Sequence, residues 1–194
     1  ALKYSSEQKV KMFVFSSSRE VYGNPEYVHV DEEHKLDPIN MYGATKVCGE
    51  ALCKAFSRTG LDFIILRIVN SYGPRDKDRV IPIFIKNSKN NNNLQLFGGQ
   101  QVLDFIWIGD VINAMIKVSK NAEFIGKTVN IGTGIGTSIE ELAKIIIKLT
   151  KSKSKIVIKK ARSFDVQNFI SKSDKIKLKT AKLVDGLKKT ISFY

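Results

Sequence analysis

Tyr42 and Lys46 have the residue types and the spacing of a base that removes a proton from an alcohol. A phenol ionises at about pH 10, so a tyrosine alone is a poor base at neutral pH. A lysine ammonium nearby favours the phenolate, which brings a phenol closer to the working range of a general base. Residues four apart share one face of a helix. The spacing alone is equally typical of an ordinary surface tyrosine.

Three consecutive serines, Ser16 to Ser18, follow an apolar segment that predicts a buried strand over residues 10–15. Ligands of open α/β sheets bind at the carboxyl ends of the strands. A serine hydroxyl at this place could therefore hydrogen-bond the alcohol that Tyr42 deprotonates. A serine-rich turn without a ligand would have the same sequence.

Apolar runs alternate with amphipathic segments along the chain, which predicts an α/β fold with a mostly parallel sheet. The predicted strands are 10–15, 61–69, 94–97, 102–108, 128–131 and 155–158. The predicted helices are 41–58, 80–88, 110–120, 139–149 and 183–194. Asp110 is expected to cap the third helix, and Thr137 and Glu140 have capping-box spacing before the fourth.

The composition is that of a globular protein, with 43% hydrophobic and 26% charged residues in 194. Two cysteines exclude a disulfide scaffold, and two histidines leave little from which to build a zinc site, so no metal is expected. The sequence has no apolar run long enough to span a bilayer and no signal-peptide pattern. These features predict a cytoplasmic protein without membrane contact.

The positive charge is concentrated in the last quarter of the chain. Residues 1–143 carry 17 basic and 16 acidic side chains, whereas residues 144–194 carry 15 basic and 3 acidic ones. Such a segment attracts phosphates, although a solvated lysine-rich surface has the same composition. It has few aromatic residues, and stacking surfaces for nucleic acid need them. A non-catalytic, nucleic-acid-binding protein therefore stays open as an alternative of another class.

Four segments in order carry a family resemblance. Residues 15–23 resemble SSS-x-x-VYG, residues 40–46 resemble P-Y-G-x-S-K, residues 66–75 resemble LR-x-x-N-x-YGPR, and residues 104–111 resemble RDF-x-x-V-x-DV. These are motifs of the extended short-chain dehydrogenase/reductases of the NAD-dependent epimerase/dehydratase family. Within it the chain is most similar to nucleotide-sugar epimerases of the UDP-glucose 4-epimerase type.

The resemblance implies a Rossmann-like doubly wound parallel sheet, represented by its C-terminal part, with a smaller α/β substrate-binding domain. Residues 1–74 would form the C-terminal half of the NAD-binding Rossmann domain, and residues 75–194 the substrate-binding domain. Residues 102–131 would return to the Rossmann sheet. It also implies NAD as cofactor, a nucleotide-sugar substrate and a homodimer.

Site residues follow from the resemblance position by position. Tyr42 would be the catalytic base, and Lys46 its partner. With Ser16, both would also contact the cofactor. Ser18 would orient the sugar 4-hydroxyl. The remaining substrate contacts would be Asn70 and Arg162 at the diphosphate, with Val80 and Leu94 at the nucleotide base.

Three departures from the family pattern matter. No glycine-rich dinucleotide loop precedes residue 10, and the glycines at 132–136 lack the dinucleotide-binding spacing. Leu103 stands where the family commonly has a diphosphate-binding arginine. Arg19 stands where sugar 4,6-dehydratases have an aspartic acid that protonates the departing hydroxyl. Arginine stays ionised and cannot donate that proton, which favours an epimerase over a dehydratase. A 4,6-dehydratase or a 4-ketoreductase of the same family stays open as the alternative.

Overall fold

Three parallel strands form the sheet whose carboxyl edge carries the serines. In this computed structural model, which describes residues 1–162 and 166–194, β1 (Met12–Ser18), β2 (Asp62–Ile68) and β6 (Thr128–Ile131) pair in the order β1-β2-β6. β2 and β6 are buried and rich in apolar and β-branched residues, as strands covered on both faces are. The strand predicted to be buried over residues 10–15 is only half-buried in β1, from Met12 to Phe15. The predicted α/β fold with a parallel sheet is confirmed.

Helices cover both faces of this sheet, and the alternation of side chains along β2 shows how. Ile64 and Leu66 pack in one core with residues of α4 (Ile108–Ser119). Phe63 and Ile65 point to the opposite face, where they pack with Cys53 of α2 (Met41–Phe56). Because successive side chains of a strand point to opposite faces, one apolar run fills both cores.

A second group of elements packs beside this sheet. It comprises β3 (Asn70–Tyr72), α3 (Val80–Lys89), β4 (Leu94–Phe97), β5 (Val102–Trp107), β7 (Gly136–Ser138), α5 (Ile139–Thr150), β8 (Ile156–Lys159), β9 (Asn168–Phe169) and α6 (Leu183–Ile191), whereas α1 (Leu2–Glu7) contacts α2. Strand β5 pairs in parallel with β3 and β9 and antiparallel with β7, and β4 pairs in parallel with β8. Their shared core includes Phe84, Leu142 and Leu187.

The expected return of residues 102–131 to the first sheet has two different outcomes along the segment. Thr128–Ile131 pairs with β2 in that sheet, whereas Val102–Trp107 pairs with β3, β7 and β9 in the second. The division of the chain at residue 74 stays a prediction.

Two predicted helix caps are wrong. Helix α4 begins at Ile108, so Asp110 lies in its first turn, where its carboxylate accepts a hydrogen bond from the Ala181 backbone N–H at 2.8 Å. Helix α5 is capped by Ser138, whose Oγ accepts from the Glu141 N–H at 3.1 Å. Thr137 instead lies in β7, where pairing with β5 uses its extended backbone.

Candidate active site

The three serines and Tyr42 line one cleft, which we call the Tyr42 cleft. It has a volume of about 460 Å³, and its wall includes Ser16 to Ser18, Tyr42, Lys46 and Asn70. The serines lie at the carboxyl end of β1, and Asn70 follows the carboxyl end of β2. Parallel strands end at the same edge of a sheet, so the fold brings these residues together where such sheets bind ligands.

Lys46 is oriented by the end of β1. Its Nζ donates a hydrogen bond to the Ser16 carbonyl oxygen at 2.8 Å. The same Nζ lies 5.3 Å from the ring centroid of Tyr42, one helical turn away. The side chain of Tyr42 is 55% exposed, so its hydroxyl is accessible from the cleft. The arrangement places an ammonium beside a reachable phenol, as proton transfer from an alcohol requires.

Ser18 is held rigidly at the same edge. Its Oγ accepts a hydrogen bond from the Glu20 N–H at 3.2 Å and so caps the short 3-10 helix Arg19–Tyr22. The side chain is 8% exposed and faces the Tyr42 cleft. Because Oγ serves as the acceptor in the cap, its proton can be donated to an oxygen in the cleft.

The N-terminus of α2 is fixed to the segment that follows Ser18. Asn40 caps the helix, since its Oδ1 accepts from the Gly43 N–H at 2.8 Å. Its Nδ2 donates to Oε2 of Glu20 at 2.7 Å. A Cβ on Gly43 would lie 2.5 Å from the Glu20 carbonyl oxygen, so only glycine permits this approach. These contacts set the position of Tyr42 relative to Ser18.

Asn70 is engaged by protein groups on both sides of its amide. Its Oδ1 accepts from Nε of Arg19 at 3.3 Å, and its Nδ2 donates to the Asp104 carbonyl oxygen at 2.9 Å. The guanidinium of Arg19 also pairs with Glu20, Nη2 to Oε1 at 2.7 Å. Burial lowers the pKa of Arg19, and the neighbouring carboxylate of Glu20 opposes this shift.

A second cleft, the Arg162 cleft, has a volume of about 310 Å³ and a wall that includes Val80, Leu96, Phe97 and Arg162. The guanidinium carbon of Arg162 lies 3.9 Å from the ring centroid of Phe97. Apolar side chains with a stacked cation suit a flat ring attached to an anionic group. The predicted contacts Val80 and Arg162 are therefore together in one cleft.

Leu94 is not part of that wall. Its side chain is fully buried among the second group of elements, whereas Gln95 and Leu96 line the cleft. Leu94 and Leu96 share the inward face of β4, so the position along the strand distinguishes them, and the cleft reaches Leu96.

The glycine-rich turn at 132–136 binds a carboxylate of this chain. Asp104 is fully buried, and it accepts hydrogen bonds from the N–H groups of Thr133 and Gly134, each at 3.0 Å. It also accepts from Oγ of Ser171 at 2.6 Å. The backbone donors that such a turn could offer to a phosphate are thus used internally.

Sequence reasoning did not assign a ligand contact to Arg19, although its side chain lines both clefts. An arginine next to a glutamate is usually a surface ion pair, and nothing in the local sequence signals the burial of its side chain.

Among residues 1–162 and 166–194, no helix is long and apolar enough to cross a membrane. The same residues contain no group of three or more His, Cys, Asp or Glu placed to hold a metal ion.

Comparisons with known proteins identify the family of this chain. The family model "NAD dependent epimerase/dehydratase family" matches residues 1–132. A relative from Methanocaldococcus jannaschii, provisionally named UDP-glucose 4-epimerase, is 34% identical over 94% of this chain and 62% of its own length. Human dTDP-D-glucose 4,6-dehydratase is 32% identical over 75% of this chain and 42% of its own length.

Among solved structures, the UDP-glucose 4-epimerase of Thermotoga maritima with UDP-glucose has a TM-score of 0.93 and 30% identity. That comparison covers 99% of this chain and 66% of the other. The chain thus spans about two fifths to two thirds of the lengths of these three proteins.

Proposed function

This chain belongs to the NAD-dependent epimerase/dehydratase family, and we propose that it functions as a nucleotide-sugar 4-epimerase of the UDP-glucose/UDP-galactose type. The reaction would be a reversible hydride transfer to bound NAD through a 4-keto sugar. The observation that carries the proposal is the meeting of Ser18, Tyr42 and Lys46 in one cleft at the carboxyl edge of the sheet. Relatives named as 4-epimerases support the choice of reaction.

The residues of the Tyr42 cleft fit one end of NAD. Lys46, anchored to the Ser16 carbonyl, and Tyr42 face the edge of a parallel sheet at which nucleotides bind. The family resemblance assigns these three residues to the cofactor side of the cleft. When bound, NAD supplies a hydride acceptor that can also return the hydride.

The chain's own residues supply the proton transfer. Tyr42 takes the proton of the sugar 4-hydroxyl, and the Lys46 ammonium stabilises the phenolate that has to form for this step. Ser18 donates a hydrogen bond to the same sugar oxygen and keeps it in line with Tyr42. Inversion at C4 would require the hydride to return to the opposite face of the 4-ketone, and Tyr42 would then give its proton back to the 4-oxygen, which completes the epimerisation.

The surroundings of Glu20 argue against the dehydratase alternative. Loss of a hydroxyl as water needs an acid next to it, and Arg19 cannot supply a proton at neutral pH. The Glu20 carboxylate is occupied by Arg19 at 2.7 Å and by Asn40 at 2.7 Å. Both oxygens of this carboxylate are therefore engaged by side chains of the protein.

The proposal includes a cytoplasmic homodimer. The exposed apolar side chains Met41 and Leu52 on α2 support a second subunit, and the proposal assigns the protein no nucleic-acid partner. A nucleic-acid-binding protein that uses the basic last quarter would instead show steeply salt-dependent binding to RNA or DNA.

The test is the conversion of UDP-galactose to UDP-glucose by the full-length protein and by its Tyr42→Phe variant. We expect the variant to lose about 10²- to 10⁴-fold in kcat and to keep its thermal stability, because the hydroxyl is exposed. Tyr4→Phe, at another exposed tyrosine, is the matched control and should change neither. A 4-keto-6-deoxy product would support the dehydratase instead.

A further inference from the structure

Arg19 occupies the boundary between the two clefts. Of the residues that the structure describes, it is the one whose side chain lines both the Tyr42 cleft and the Arg162 cleft. Its side chain is 10% exposed, and it lies with its guanidinium carbon 5.5 Å from the ring centroid of Phe169. A ligand that extends from one cleft into the other must therefore pass along Arg19.

The guanidinium has an unmet hydrogen-bonding requirement. Nη2 pairs with Glu20 at 2.7 Å, and Nε makes a long bond of 3.3 Å to Oδ1 of Asn70. Nη1 is enclosed and has no acceptor within the described part of the chain. A buried charged donor without an acceptor costs free energy, so the side chain gains by turning toward an anionic oxygen.

Among the described residues, no other cation lines both the Tyr42 cleft and the Arg162 cleft. Leu103 lines the Arg162 cleft and has no charge to offer. Arg162 stacks on Phe97 at the far wall, and Arg79 is paired with Asp76 at 2.9 Å. Arg19 is the cation placed between the sugar side and the base side of the combined cleft.

We propose that Arg19 binds the diphosphate of the substrate, held for this role by Asn70, and so supplies the charge that Leu103 does not. The inference rests on the proposed function, because a nucleotide sugar has its diphosphate between the sugar and the nucleoside. Arginine suits the role, since its planar fork can keep Nη2 on Glu20 and Nε on Asn70 while Nη1 donates to a phosphate oxygen. Asn70 is then a positioning residue rather than a direct diphosphate contact.

The experiment compares the Kd values of UDP and uridine for the full-length protein and for Arg19→Met, by titration calorimetry. We expect Arg19→Met to weaken UDP by about tenfold or more and to leave uridine unchanged, because uridine lacks the diphosphate. Arg19→Lys, which keeps the charge without the fork, should bind UDP with intermediate affinity. Arg58→Met, at an exposed arginine, is the matched control and should bind both ligands as the parent does.

Other outcomes separate the two levels of the proposal. If the parent protein binds neither UDP nor UDP-glucose, the proposed function fails. If the parent binds UDP and both Arg19 variants bind UDP with the affinity of the parent, the function stands and the role of Arg19 is refuted. An equal loss for UDP and uridine in Arg19→Met would mean a general structural defect and would also refute it. UDP-glucuronate is titrated in the same way. If Arg19→Met loses affinity for UDP-glucuronate and binds UDP as the parent does, the contact is to a sugar carboxylate and the diphosphate assignment is overturned.

Discussion

The Glu20 carboxylate accepts a hydrogen bond from Nδ2 of Asn40 at 2.7 Å, and Oδ1 of Asn40 caps the helix that carries Tyr42. A single asparagine thus connects the segment after Ser18 to the first turn of α2. Since the other oxygen of Glu20 pairs with Arg19, the two clefts and the proposed base are mechanically connected. Asn40→Ala and Gly43→Ala each disturb this connection.

Asn40→Ala should lower both stability and turnover. Loss of the cap should reduce the free energy of unfolding by about 1 kcal/mol, and the first turn of α2, with Tyr42, should lose its fixed position. Urea unfolding and epimerase kcat measure the two effects. The control is Asn121→Ala, which removes the cap of the short 3-10 helix Ala122–Phe124 far from the cleft. Equal kcat values for the two variants would contradict the connection.

Gly43→Ala should destabilise the protein, although alanine is the better helix former. In an unconstrained helix interior the change would stabilise by about 0.5–1 kcal/mol. Here the new Cβ would lie 2.5 Å from the Glu20 carbonyl oxygen and 3.0 Å from Cβ of Pro38, so α2 has to move. We expect a loss of about 1–3 kcal/mol in urea unfolding, with a lower kcat. Lys54→Ala, exposed on the same helix, is the comparison, and a gain in stability for Gly43→Ala would refute the close approach.

Removing one partner of the buried ion pair of Glu50 and Arg67 should lower the free energy of unfolding far more than removing one partner of a surface pair. Nη2 of Arg67 lies 2.8 Å from Oε2 of Glu50, and both side chains are almost fully buried. Glu50→Leu leaves an unpaired buried guanidinium and should cost about 3–5 kcal/mol in the free energy of unfolding.

The surface pair of Lys3 and Glu7 is the control for that prediction, and Glu7→Leu should change stability by less than about 1 kcal/mol. Adding Arg67→Met to Glu50→Leu should recover part of the loss, because the unpaired charge is then gone. If the double variant is less stable than Glu50→Leu, the unpaired charge of Arg67 is not the cause of the stability loss in Glu50→Leu.

Stability should fall in alkaline solution as buried phenols ionise. Burial raises the pKa of Tyr22 to about 12, and burial with the carboxylates of Asp110 and Asp185 raises the pKa of Tyr72. The folded state therefore holds these protons at a pH where the unfolded chain has released them. The contribution is complete below about pH 10, the unfolded value, and is lost as the pH rises through the folded values.

Tyr72→Phe isolates one of these groups. Its hydroxyl makes a long bond of 3.3 Å to the Leu183 carbonyl oxygen, so removing it should disturb the core little. The free energy of unfolding, measured by urea at several values between pH 8 and 11, should then decline less steeply than in the parent. Tyr4→Phe, at an exposed position, should leave the slope unchanged. Parallel slopes for the parent and Tyr72→Phe would show that Tyr72 does not contribute.

The sequence by itself determined the fold class and the proposed catalytic group. The alternation of apolar runs placed most strands and helices within a few residues, because periodicity is a local property of the chain. The four-residue spacing of Tyr42 and Lys46, and the position of Ser16 to Ser18 at the end of a strand, indicated the Tyr42 cleft before any coordinates. These features can be predicted from the sequence because each depends on residues that are close together in it.

Tertiary structure decided what depends on residues distant in the sequence. Leu94 and Leu96 share the inward face of β4, and Leu96 is the one that lines the cleft because the packing of the surrounding elements sets which end of the strand the cleft reaches. Val102–Trp107 pairs in the second sheet because three strands from separate segments of the chain, β3, β7 and β9, all pair with it there. The role of Arg19 follows from burial and from an unfilled donor, and burial of a charged side chain has no local sequence signal.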